Sequence, residues 1–333
     1  MSNEASTVLP ALVRMGLAAV GDEPDIVPLT GGVSSLIVRV DTRDGPVCIK
    51  QALPELKVAS HWRAPLARNH AELAWIREVG EILPQSVPRI LGEDTASYCF
   101  AMQWLPPDQH PVWKHQLRDG QVSTDFSVQV AQHLATIHAS TACQPALAAR
   151  FAFDQNFFEL RLDPYFGASA QVHPDCAETL HALIAQTADK RLALIHGDVS
   201  PKNILAGPSG PIFLDAECAV YGDPAFDVAF CLTHLMAKCL WRPAWTDEYL
   251  TCFDAFASHY LAGVNWESVA SIEARTATLL AAILLARVDG KSPLEYLTEP
   301  DRAKLRAFAR RWVLLPATRL ADMRAAWKEE LAA

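Results

Sequence analysis

Residues 192–215 form one short β-like stretch inside an otherwise helical second half, and they constrain the fold more than any other segment. Leu192-Ala193-Leu194-Ile195 is an apolar run, Asn203-Ile204-Leu205 opens a second, and Pro211-Ile212-Phe213-Leu214-Asp215 follows a Gly207-Pro208-Ser209-Gly210 turn. Apolar runs of this length, separated by Gly- and Pro-rich turns, are strand signals. Polar residues are few here and stand at the run ends: Asp198 in the loop after the first run, Asn203 at the start of the next and Asp215 at the end of the last. Three oxygen-bearing side chains on one side of a small sheet can converge on a hard cation and a hydroxyl. Mg²⁺ takes oxygen ligands and needs only one or two protein carboxylates when phosphates and waters supply the rest. Phosphoryl transfer needs the same parts, a carboxylate to orient the attacking hydroxyl and metal ligands beside the phosphates. Any one of these residues alone reads as a turn former or helix cap; the combination points to chemistry.

The flanking sequence supplies two unlike halves. Ile37, Val38 and Val40, then Val47-Cys48-Ile49-Lys50 after Asp44-Gly45, read as a hairpin within a β-rich stretch over 26–50. Leu66, Leu73, Ile76 and Val79 predict a helix over 66–79, and Tyr98 to Leu105 a further strand. Pro106-Pro107 ends that strand and marks the boundary of a smaller N-terminal part, 1–105, from a remainder, 106–333. Beyond it, residues 126–138, 177–185, 227–240, 246–261, 269–287 and 301–312 carry helical periodicity. The expected fold class is therefore α+β, a small β-rich lobe and a large, mainly helical one.

Half of the 333 residues are hydrophobic and 20% are charged, which excludes intrinsic disorder. With 29 basic against 38 acidic residues, the net charge of −9 argues against a nucleic-acid binder. The acidity is concentrated: residues 151–260 carry 6 basic and 14 acidic side chains. Eight cysteines show no C-x-x-C pair and read as reduced, buried thiols. The N-terminus lacks the basic and apolar regions of a signal peptide, and the apolar run 277–286 is short for a membrane span. The expectation is a cytoplasmic protein, with no membrane or nucleic-acid partner and an open oligomeric state.

His196-Gly197-Asp198 with Asn203, followed by Leu214-Asp215 and by Gly222-Asp223-Pro224 with Asp227, resembles the aminoglycoside phosphotransferase and choline kinase family. The likeness extends over roughly residues 25 to 290 and implies a two-lobed protein-kinase-like fold with a hinge near 103–107. It implies Asp198 as catalytic base, Asn203 and Asp215 as Mg²⁺ ligands, and Glu217 as a further metal-side carboxylate. His196 is expected to be a scaffold of the loop, and Asp223 and Asp227 to hold it and cap the next helix. Leu29-Thr30-Gly31-Gly32-Val33-Ser34-Ser35 lies between two strands where backbone N–H groups of Gly31 and Gly32, with Ser34 and Ser35, can cover phosphates. Lys50, at a strand end, is expected to hold the α- and β-phosphates of ATP. Its ion-pair partner should be Glu72, or failing that Glu78. The backbone of Gln103, Trp104 and Leu105 would receive adenine.

The reaction so implied moves the γ-phosphate of ATP to a hydroxyl of a small molecule: a sugar, an amino alcohol or an aminoglycoside-like compound. Trp113-Lys114, Asp163-Pro164-Tyr165 and Arg287 resemble parts of the methylthioribose kinase branch, although Ala286 stands where that branch has a second arginine. Arg287 and Trp241 are the expected acceptor contacts, Trp241 by stacking or by covering an ammonium. The acidic middle segment suits a cationic acceptor, or equally reflects the metal site and solvated helix faces. Two other classes stand beside the kinase: a nucleotide-binding pseudokinase or regulatory module without turnover, and a metal-dependent hydrolase on His196, Asp198 and Asp215. The hydrolase is disfavoured by the scarcity of histidines near these carboxylates.

Overall fold

Strict alternation in the first hundred residues builds an antiparallel sheet with two differently used faces. A computed structural model of the chain describes residues 3–29, 35–53, 66 and 68–332. The first helix, α1 (Asn3–Arg14), precedes β1 (Asp25–Pro28), β2 (Ser35–Thr42) and β3 (Gly45–Ala52). Helix α2 (Arg68–Ile82), β4 (Ile90–Asp94) and β5 (Cys99–Gln103) complete the lobe. The strands are ordered β1-β2-β3-β5-β4, every neighbour antiparallel. The β2–β3 hairpin closes on Thr42↔Gly45, and Gly45 has φ +111°, which a side chain would resist. Because side chains alternate along a strand, Val47, Ile49, Cys99 and Ala101 pack under α1 with Val8, Ala11 and Leu12. Their neighbours Cys48, Phe100 and Met102 turn to the other face, where Leu73, Trp75 and Ile76 of α2 join the main core.

The rest of the chain is mainly helical. It comprises α3 (Trp113–Arg118), α4 (Thr124–Thr141), α5 (Pro145–Arg150) and α6 (Asp154–Phe157), the last running into a π-helical turn (Phe158–Gly167) and α7 (Ala168–Val172). After α8 (Ala177–Asp189) come β6 (Ala193–Ile195), β7 (Ile204–Gly207), β8 (Gly210–Phe213) and β9 (Val220–Gly222). Then follow α9 (Pro224–Trp241), α10 (Thr246–Ala262), α11 (Val269–Asp289), α12 (Glu299–Leu314) and α13 (Leu320–Ala332). Every residue of α9 from Pro224 to Cys239 is buried, the polar Asp227, Thr233, His234 and Lys238 included. Helix α11 is long and apolar enough to cross a membrane, contrary to the short run read from the sequence. It packs against α9 and α12, and 61% of its apolar window is buried in the protein. All eight cysteines are free thiols, seven of them buried.

One expectation changes. The three polar residues do not sit on the ends of a single small sheet, because β6 pairs with β9 and β7 with β8, giving two separate ribbons. The chain turns sharply between them through Gly197 at φ +75° and a 3₁₀ turn over Pro201–Asn203. Strand β7 therefore starts after Asn203, and Asp215 lies two residues past β8 in the left-handed region, at φ +67°. An aspartate there is a local backbone cost that surrounding structure has to hold in place.

Candidate active site

The loop after β6 is fixed from below before it presents anything. Asp227 on α9, fully buried, accepts the backbone N–H groups of His196 and Gly197, each at 2.7 Å. His138 on α4 stands 3.3 Å from the same carboxylate through Nε2, and its Nδ1 meets the Tyr260 hydroxyl at 2.7 Å. His196 acts as a spacer: Nε2 donates to the Leu214 carbonyl at 3.0 Å and Nδ1 accepts the Asp198 N–H at 3.2 Å. Burial lowers its pKa, so the ring is neutral and suited to one donated and one accepted bond. At Gly197 a Cβ would stand 2.6 Å from the Cys218 carbonyl, so the position admits glycine alone. Asp223 caps α9 on the Ala225 N–H at 3.0 Å and pairs with Arg275 at 2.8 Å.

Asp198 emerges from this frame as a buried carboxylate between two cations. Arg161 reaches Oδ2 at 2.8 Å and Lys202 the same oxygen at 3.4 Å. Arg161 is itself anchored, its Nε donating to the Gly197 carbonyl at 2.6 Å. Burial alone would raise the Asp198 pKa, but Lys202 and Arg161 more than offset it, and the carboxyl titrates below its ordinary range. Asn203 donates its amide to the Asp198 carbonyl at 3.1 Å, which leaves the amide oxygen as an acceptor.

Opposite lies a second charged group. Lys50 is buried, 2.6 Å from Glu72 and paired also with Asp215. Burial by itself would strip its proton; Asp215 and Glu72 together carry the ammonium above its ordinary range. Asp215 is held well below its usual range by Lys50 and Lys202 against the opposing effect of burial. Glu78, the alternative partner, pairs with Arg150 instead. Glu217 lies 3.2 Å from Arg68. Among the described residues no three His, Cys, Asp or Glu gather as a metal cluster. Among the described residues lining this part of the cavity, the donors a metal could use are oxygens, those of Asp215, Glu217 and the Asn203 amide, with phosphate and water to complete a shell. That set fits Mg²⁺ and not a soft transition metal.

Both groups line one cavity of about 670 Å³. Ser35, Ile37, Cys48, Met102, Gln103, Trp104 and Leu105 form its sheet-side wall. Gln103 commits its N–H to the Arg89 carbonyl at 2.8 Å, and Trp104 and Leu105 follow the end of β5, outside the strand ladder. Arg39 covers the Trp104 ring at 5.5 Å. Gly31, Gly32 and Ser34 lie outside the described residues.

The sequence pattern of the phosphotransferase enzyme family matches residues 25–261. The chain belongs to that family. Its relatives include the methylthioribose kinase of Escherichia coli O45:K1 (strain S88 / ExPEC), 22% identical over 64% of this chain and 58% of that protein. The methylthioribose kinase of Geobacillus sp. (strain WCH70) is 26% identical over 72% of this chain and 66% of that one. The chain thus spans a little over half the length of the first such relatives. Among solved structures, an amicoumacin kinase in complex with AMP-PNP, Ca²⁺ and Ami superposes with a TM-score of 0.61 at 12% identity, covering 97% of each chain. A choline kinase from Cryptosporidium parvum Iowa II gives 0.55 at 12% identity, over 98% of this chain and 96% of that one. The fold is the protein-kinase-like one.

In this family member the C-lobe end of the cavity contains two residues the sequence did not single out, Arg161 and His234, beside Tyr165 and Arg287, which it did. Arg161 sits on the π-helical turn, Tyr165 follows it, and His234 comes from the middle of α9; all three line the cavity, as does Arg287. The only sequence signal of Arg161 and His234 is a charged or polar residue inside an apolar run, Arg161 after Phe157-Phe158 and His234 after Phe230, where burial demands a partner. Trp241 does not reach the cavity. Its ring stacks on Tyr296 at 4.3 Å, with Lys238 and Lys114 over it at 5.4 and 6.0 Å, because α9 carries it past the cavity to that ring. Lys238 is buried there, and burial together with Lys114 pushes its pKa down to about 7. Its folded pKa lies below the unfolded one, so the stability penalty is largest at low pH and fades as pH rises above 7 toward 10. Lys238→Met should therefore stabilise the protein by about 1–4 kcal/mol at pH 7 and flatten that pH dependence. Denaturant titrations at pH 6 to 10 check it; a variant no more stable than the parent at pH 7 contradicts it.

Proposed function

We propose that the chain is a phosphotransferase that moves the γ-phosphate of ATP to a hydroxyl of a small molecule. The observation that carries this reading is the buried Asp198 carboxylate, ionised by Arg161 and Lys202, on the same cavity as the Lys50–Glu72–Asp215 group. Methylthioribose and choline kinases among the similar proteins support small hydroxyl compounds as acceptors. In this reading residues 1–105 form the nucleotide lobe, residues 106–333 the catalytic lobe, and 103–107 the hinge between them. The apolar wall of Ile37, Met102 and Leu105 takes adenine, with hydrogen bonds from the backbone after Gln103. Lys50, aimed by Glu72, holds the α- and β-phosphates together with Ser35, and Gly31, Gly32 and Ser34, which lie outside the described residues, are the further phosphate contacts this reading assigns.

Asp198 orients the acceptor hydroxyl and takes its proton. The hydroxyl oxygen bonds to the γ-phosphorus, and the bond to the β–γ bridging oxygen breaks with its electron pair leaving on ADP. Lys202 and Arg161 face the charge that spreads over the transferring group. Asp215 and Asn203 would hold Mg²⁺, with Glu217 behind them; the metal supplies neutralisation of the phosphate charge when bound. Lys50→Met tests the nucleotide half. It removes charge-assisted bonds to phosphate, so kcat/KM for ATP should fall about 10- to 100-fold. Steady-state ADP release at varied ATP measures it, and an unchanged kcat/KM removes Lys50 from the nucleotide site.

A further inference from the structure

The charges lining the cavity do not balance evenly between its two ends. Glu72 and Asp215 are engaged with Lys50, Asp198 with Arg161 and Lys202, and Glu217 with Arg68. Arg287 and His234 are left over at the C-lobe end. Arg287, 8% exposed near the end of α11, directs NH1 to the Tyr165 hydroxyl at 3.2 Å and to the Ser292 hydroxyl at 2.9 Å and carbonyl. Its Nε has no hydrogen-bond partner, and among the described residues no carboxylate pairs with it. His234, 6% exposed on α9, likewise has an unpartnered Nε2. A continuous aromatic wall connects both to the reaction centre. Arg161 and Arg287 lie over the Tyr165 ring at 5.6 and 5.9 Å, Tyr165 meets Phe230 at 5.8 Å, and Phe230 meets His234 at 5.6 Å.

We propose that the acceptor hydroxyl compound carries its own anionic group, a carboxylate or a phosphate, bound by Arg287 with His234 at this end while its hydroxyl faces Asp198. The proposal rests on the phosphotransferase reading and narrows its substrate class. A guanidinium held out of water with an orphaned N–H is costly until an anion meets it, and its planar fork suits carboxylate or phosphate. The local field agrees. His234 is held neutral first by burial and then by Arg287, Lys238, Lys202 and Lys114. Glu295, the carboxylate that acts on Arg287 and Lys238 here, is paired with Lys114 at 2.5 Å, so an ammonium placed among these groups would still face more positive than negative charge. The acidic middle segment does not set the acceptor's sign, because its carboxylates in the cavity are already engaged by Lys50, Arg161, Lys202 and Arg68. The transfer is unchanged: the hydroxyl oxygen bonds phosphorus, ADP leaves with the bridging electron pair, and Asp198 receives the proton.

The test is acceptor-dependent ADP release from Mg·ATP with two matched sets. One is glycerate, glycerol 3-phosphate, glycerol and 3-aminopropane-1,2-diol; the other is gluconate, glucose 6-phosphate, glucose and glucosamine. An anionic member should exceed its uncharged and amino counterparts at least about 10-fold in kcat/KM, and which anion wins separates carboxylate from phosphate. Arg287→Gln should lower kcat/KM for that member about 10- to 100-fold through KM, with the KM for ATP unmoved. Arg287→Lys, which keeps the charge without the fork, should fall between. An uncharged or amino compound preferred by the wild type, or a preference that survives Arg287→Gln, overturns the anionic acceptor and leaves the kinase reading standing. No ADP release with any compound overturns the kinase reading as well.

Discussion

Asp198→Asn should cut acceptor-dependent ADP release by about 10²- to 10⁴-fold, the range lost when a positioned general base is removed. The amide keeps the shape of the carboxylate and one acceptor oxygen for Arg161, so the fold should persist and the KM for ATP should stay near its wild-type value. The pH profile is the sharper readout. Lys202 and Arg161 more than offset burial and hold the folded pKa of Asp198 below its ordinary value, so this carboxylate is ionised throughout the neutral range. Activity dependent on it should be flat there and fall only as pH drops through the acidic carboxylate range. The residual activity of Asp198→Asn should lose that acidic limb. Rates measured from pH 4 to 8 decide the matter: an asparagine variant within about threefold of wild type, or one retaining the same acidic limb, removes Asp198 from the role of base. Asp198→Ala is the less informative variant, since it leaves Arg161 buried and uncompensated and costs several kcal/mol of stability.

The candidate site was legible where it is local in the chain. His196, Gly197, Asp198, Asn203 and Asp215 fall within twenty residues, and each has a side chain or backbone demand that its neighbours in sequence reveal. Lys50 was legible because it follows a Gly-rich turn on a strand. Partners that arrive through packing left little trace. Arg161 meets Asp198 only because the π-helical turn rotates it under the loop; helical periodicity alone cannot express that rotation. His234 sits in a helix buried on all sides, so periodicity could not say which of its faces meets a cavity. Trp241 is a case of the same kind. Its position near the end of α9 was readable, but the stacking partner, Tyr296, lies beyond α11. Strand β4 went unread because Gly92, Glu93 and Asp94 interrupt the apolar alternation, and its pairing with β5 comes from the sheet.

Asp227 should matter more to stability than any residue that lines the cavity. Its two oxygens accept two different backbone donors, Oδ1 from Gly197 and Oδ2 from His196, at a site with no exposure to water. Asp227→Ala strands both N–H groups, at about 1–3 kcal/mol each, and removes the carboxylate opposite His138. Asp227→Asn should rescue little, because an amide offers one acceptor oxygen and its NH₂ would face an N–H. Both variants should therefore lose about 2–5 kcal/mol, a large share of the roughly 5–15 kcal/mol that holds a domain folded. The kinetic consequence follows from position: the loop these bonds fix carries Asp198, and a displacement of about 1 Å there can cost on the order of 10²-fold in rate. Denaturant midpoints and kcat measured on the same preparations separate the two effects. If Asp227→Asn unfolds at the wild-type midpoint, or loses stability while keeping full kcat under folding conditions, Asp227 is not what aims the Asp198 loop.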